Sequence, residues 1–116
     1  MKVGVVAEGE GLDSLVAEDF GHAPFFLIVD LDSLDYNVVK NEYADNESGA
    51  GYKVADAIVS LKVNAAVVGG IGPHGMDILR KAGIRVWSDM DDMTVEEALE
   101  SVKGRLTLEK KFEGKS

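Results

Sequence analysis

The chain has 116 residues, 46% of them apolar, and a formal charge of −9 at pH 7. That length fits one domain with a single core, the apolar share excludes a disordered chain, and the charge argues against nucleic acid as a partner. The chain has no cysteine, which excludes disulfides and thiolate metal sites. It also has no apolar run near the ~20 residues of a membrane span, and its start is strand-like, so a cytoplasmic protein is expected.

In chain order, Val3 to Ala7 reads as a short buried strand that ends in Glu8-Gly9-Glu10-Gly11. Residues 12–20 carry one helical turn's worth of spacing, with Leu15, Val16 and Phe20 apolar. Phe25 to Leu31 is a near-continuous apolar run, too hydrophobic for an edge strand. The polar turn Asp32 to Asp35 returns the chain into a third strand, Tyr36 to Asn41, as an antiparallel hairpin.

The period then changes. After Gly49-Ala50-Gly51, the apolar residues Val54, Ala57, Ile58 and Leu61 fall at helical spacing. Ala65 to Val68 is a fourth strand, and a glycine-rich turn leads from it into a helix from about His74 to Ala82, stopped by Gly83. Ile84 to Trp87 is a fifth strand. Thr94 and Glu97 form a capping box that opens a last helix to about Lys103, with Gly104 as its stop. The expectation is one α/β domain over residues 1–104, in the order β-β-β-α-β-α-β-α, with a charged and mobile tail over residues 105–116.

Right-handed crossovers and one antiparallel hairpin send four connections to the same sheet edge: residues 8–24, 42–51, 69–75 and 88–94. Both histidines and most of the glycines fall there. Open α/β sheets bind ligands at the carboxyl ends of their parallel strands, which is the same edge.

Gly70 to Gly75 fits G-x-G-x-x-G, with Asp89 and Asp91 about 20 residues on, as a dinucleotide site would have them. However, the motif follows the fourth strand, and Pro73 removes one N–H from the turn. A nucleotide-binding domain is therefore an alternative reading, and tight strand-to-helix turning is the simpler one. Free N–H groups at two helix starts, Gly49-Ala50-Gly51 with Lys53 and Gly70 with Gly72, suit a compact anion. His22 and His74 are candidate metal or cluster ligands. No histidine spacing supports a closed zinc site. Strands 1 and 4 hold no acid for nuclease metals, and no activated nucleophile is present.

The set Leu12-Asp13-Ser14 with Val16, Asp19-Phe20-Gly21-His22-Ala23-Pro24-Phe25-Phe26-Leu27-Ile28-Val29, Gly49-Ala50-Gly51, Gly69-Gly70-Ile71-Gly72-Pro73, Ala82-Gly83-Ile84-Arg85-Val86 and Thr94-Val95-Glu96-Glu97-Ala98 resembles the dinitrogenase iron-molybdenum cofactor biosynthesis family. That family includes NifX and the C-terminal part of NifB, and the molybdenum–copper orange protein is a relative. The resemblance covers about residues 1–106. It implies a five-stranded mixed sheet with helices on both faces and a ribonuclease H-like strand order. It also implies a non-catalytic carrier of an anionic molybdenum-, iron- or copper-sulfide cluster, bound transiently and delivered to a cofactor-assembly or redox protein. NifX-like members carry a histidine before the Phe-Gly pair; here Asp19 stands there and the first histidine is His22. A third reading is a protein-interaction module that exposes Trp87 or the charged tail.

Overall fold

A computed structural model describes residues 1–45 and 50–113. The elements are β1 (Lys2–Ala7), β2 (Phe25–Asp30), β3 (Tyr36–Lys40), α1 (Ala50–Ser60), β4 (Ala65–Val67), α2 (Pro73–Lys81), β5 (Arg85–Trp87) and α3 (Val95–Glu113). A single 3-10 turn, Phe20–His22, precedes β2. Element order and type follow the hydrophobic periodicity, with helix spacing giving way to strand runs where the sequence pattern does.

The five strands form one mixed sheet in the order β3-β2-β1-β4-β5. Central β1 pairs antiparallel with β2 and parallel with β4. A central strand has both faces covered, which is why Val3, Val5, Val6 and Ala7 are all fully buried. β3 is an edge strand and is mostly exposed.

Helices cover both faces. α1 and α2 pack on each other, as two right-handed crossovers running the same way across a sheet require. α3 lies on the opposite face. Arg85 and Trp87 share one side of β5, and both reach α3: Arg85 forms an ion pair with Glu109, and the Arg105 guanidinium sits 5.5 Å from the Trp87 ring.

Three expectations are corrected. Residues 12–20 form no α-helical turn; a tight turn closed by the Ser14 N–H on the Gly11 carbonyl leads into a segment bridged Ala7 to Val16, Leu15 to Thr94 and Asp19 to Gly70, and Phe20 opens the 3-10 turn. Backbone pairing with three neighbours outweighed a weak local helical spacing. The last helix does not stop at Gly104 but continues to Glu113, so residues 105–113 are helical rather than a loose tail. Glycine costs a helix about 1 kcal/mol, and here tertiary contacts oppose that cost: Leu106 packs against the core, and Arg105 and Glu109 engage β5. Trp87 is only 8% exposed, covered by Arg85 and Arg105, so it offers no exposed docking surface.

Local stops and turns match the residues that make them. Gly83 takes φ +78, a conformation natural to glycine after a helix. The Asp30 carboxylate accepts bonds from the N–H groups of Asp32 and Ser33 and closes the hairpin turn.

Candidate functional site

The first connection is sewn to the carboxyl ends of the parallel strands. The Ala17 N–H donates to the Val6 carbonyl at 2.9 Å, the Gly70 N–H to Glu18 at 2.7 Å, and the Phe20 N–H to Gly70 at 3.0 Å. Gly69 makes this approach feasible, since a Cβ there would stand 2.4 Å from the Ala17 carbonyl oxygen. Gly70, expected as an anion-binding donor, has therefore already committed its N–H to Glu18.

Above this seam opens a cavity of 710 Å³. Its walls come from the 3-10 turn (Phe20, Gly21, His22), the start of α1 (Gly51, Tyr52) and the glycine-rich turn with α2 (Gly70, Gly72, His74, Ile78). The structure thus brings His22, His74, Gly51, Gly70 and Gly72 together on the edge where topology placed them. Lys53 is not among the lining residues; its ammonium lies 5.8 Å from the Tyr43 ring instead. Gly49 lies outside the described residues.

α2 starts without a side-chain cap, because Gly72 at the cap position has none to offer and Pro73 has no N–H. His74 and Gly75 therefore keep first-turn N–H groups with no backbone partner among the described residues. Gly75 also lets Phe20 close in, since an added Cβ would meet the Phe20 ring at 3.3 Å.

Asp19 organises the opposite wall. One carboxylate oxygen accepts the Gly21 N–H at 3.0 Å and caps the 3-10 turn, and the other lies 2.8 Å from His22 Nδ1. The bond to His22 holds the Asp19 carboxyl below its ordinary value of 3.8, against a weaker opposing effect of burial. A carboxylate on one imidazole nitrogen fixes the orientation of the ring. Sequence reasoning noted Asp19 only as a departure from the family pattern. The signal for the pair was the i, i+3 spacing to His22. Phe20, Tyr52 and Ile78 were missed as lining residues, since nothing local marks an apolar side chain as belonging to a cavity rather than the core.

Among the described residues no group of three or more His, Asp or Glu side chains could hold a metal ion. Asp89 and Asp91 do not line the cavity, so the dinucleotide reading lacks its ribose acid as well as the Gly70 donor. No helix among the described residues is long and apolar enough to cross a membrane.

Residues 1–105 match the model of the family described as dinitrogenase iron-molybdenum cofactor. The chain belongs to that family. The apo orange protein of Desulfovibrio gigas is 32% identical, with a TM-score of 0.84 over 89% of this chain and 87% of that one. A NifB-like protein of Thermotoga is 31% identical, with a TM-score of 0.73 over 89% and 87%. A dinitrogenase-like protein of Methanocaldococcus jannaschii, 21% identical with a TM-score of 0.51 over 76% and 74%, shares the fold. No curated protein sequence matches the chain. Membership in the dinitrogenase iron-molybdenum cofactor family puts the chain among proteins related to cofactor biosynthesis and metal-cluster handling.

Proposed function

We propose that this chain is a non-catalytic carrier whose cargo is a small anionic metal–sulfide cluster of molybdenum, iron or copper, seated in the 710 Å³ cavity. The observation that carries the reading is the convergence of His22, His74 and the uncapped start of α2 on that one space. The His74 and Gly75 N–H groups and the helix dipole favour a negative guest. The two imidazoles, one oriented by Asp19, supply ligand nitrogens at its rim. With no cysteine in the chain and no three-residue ligand set among the described residues, holding is transient, as suits a protein that hands its cargo to a cofactor-assembly or redox partner.

Titration of the purified protein with tetrathiomolybdate, alone and with copper(I) or iron(II), is expected to give a new visible absorption band on the protein. His22→Ala and His74→Ala are expected to weaken or shift it. A titration without a protein-bound band, or a band indifferent to both substitutions, rules the reading out. Calorimetry with NADH and ATP tests the nucleotide alternative in the same sample.

A further inference from the structure

The two edges of the sheet are not alike. β5 has three residues, and its Arg85 is tied to Glu109 of α3, whereas β3 has five and carries neither a proline nor a bulge. Of the devices that blunt an edge strand, β3 has only Lys40 at its end. The hairpin bonds fix which groups that edge presents. The Asp30 N–H donates to the Asp35 carbonyl at 2.9 Å, and the Asn41 N–H to the Pro24 carbonyl at 3.0 Å. Hydrogen-bonded pairs alternate with the others in an antiparallel ladder, so Asn37 and Val39 also point their N–H and C=O groups at β2. Tyr36, Val38 and Lys40 point theirs away from it. No backbone hydrogen bond from another segment reaches those three among the described residues.

The side chains of the same three residues share one face of the sheet. Phe26 and Val39, on the other face, line a groove with Ala57 and Leu61 of α1, so Tyr36, Val38 and Lys40 stand on the α3 side. Tyr36 and Val38 are each 38% exposed there, beside half-buried Phe25. A two-fold axis through Val38 matches this edge to itself. It sets Val38 against Val38 and Tyr36 against Lys40 of the copy, and each of these residues has its N–H and C=O free to exchange both bonds of a pair. The only charge in the strand then lies against an aromatic ring, which attracts a cation, and no like charges face each other. An edge that complements itself in register, hydrogen bonding and charge fits a second copy of the chain better than an unrelated strand.

We propose that β3 is a docking edge for a second copy of this chain, the two sheets joining antiparallel about Val38 into one continuous sheet. The inference is independent of the carrier reading. No residue of β3 lines the 710 Å³ cavity, and the two-fold reverses the strand direction, so the two cavities open on opposite edges of the joined sheet. One strand pair buries less than a stable interface needs, and the charge of −9 on each copy opposes approach. The dimer is therefore weak and forms at high concentration.

Sedimentation equilibrium of the full chain from about 10 μM to about 1 mM, in about 0.15 M salt, tests this. The wild type is expected to rise from the monomer mass of 12.4 kDa toward twice that value. Val38→Lys and Val38→Glu each place like charges face to face on the axis and are expected to weaken association at least ~10-fold. Mixed in equal amounts, the two variants bring opposite charges together and are expected to associate again as mixed pairs. Val38 is part-exposed, so both variants are expected to fold, which circular dichroism checks. A wild type that stays monomeric throughout, either variant associating like the wild type, or a mixture of folded variants that stays monomeric overturns the inference.

Discussion

Gly69 and Asp19 hold in place the segment that carries the Phe20 to His22 wall of the cavity. At Gly69 a methyl group would meet backbone oxygens of Ala17 and Glu18 at 2.4 and 2.8 Å. Backbone does not swing aside as a side chain does, so Gly69→Ala is expected to destabilise the fold by about 1–3 kcal/mol, read by urea denaturation. Asp19 acts through its bonds to His22 and Gly21, which depress its carboxyl pKa in the folded chain. The contribution of a depressed acid is present above its unfolded pKa and disappears as pH falls through the folded one. The stability difference between wild type and Asp19→Asn should therefore shrink as pH is lowered from about 5 to about 2. Most of the Asp19 side chain is in solvent, so the difference is expected to stay below about 1 kcal/mol. A difference that grows on acidification would show that the pair does not stabilise the fold.

α3 shows how tertiary contact overrides a local stop signal. Its start is as the sequence indicates: the Thr94 N–H donates to Glu97 Oε1 at 3.0 Å, and the Glu97 N–H to Thr94 Oγ1 at 3.2 Å. Its end is not, because Gly104 lies inside the helix with open space where a Cβ would stand. Gly104→Ala is therefore expected to stabilise the protein by about 0.5–1 kcal/mol, by raising helix propensity and reducing the freedom of the unfolded chain. A rise in the thermal midpoint without change in the circular dichroism of the folded state is the expected result. A fall would mean that the helix needs glycine there for a reason its surroundings do not show.

For the molecule as a whole, a charge of −9 coexists with a site proposed for an anion. The two are compatible because local backbone dipoles act within a few ångströms, while the diffuse charge is screened over about 8–10 Å at ordinary ionic strength. A guest that binds only the folded chain raises its stability by mass action, by about 2.7 kcal/mol at a free concentration 100 times the dissociation constant. Tetrathiomolybdate is accordingly expected to raise the thermal midpoint in a concentration-dependent way. Scanning fluorimetry at a series of anion concentrations measures the rise.

The sequence by itself determined the element order, the capping box at Thr94 and the edge on which the glycines and histidines meet. Those features follow from hydrophobic period, turn chemistry and the handedness of crossovers, all of which act over short stretches of chain. Only the tertiary structure decided the rest. It spent the Gly70 N–H on Glu18, turned Lys53 toward Tyr43, joined Asp19 to His22 and carried α3 past Gly104 onto Arg85 and Trp87. Each depends on which partners distant segments bring within hydrogen-bonding or packing range, and local pattern holds no record of that distance. For the cavity the division is the same. Its position was legible from topology, while its partly aromatic wall came from packing.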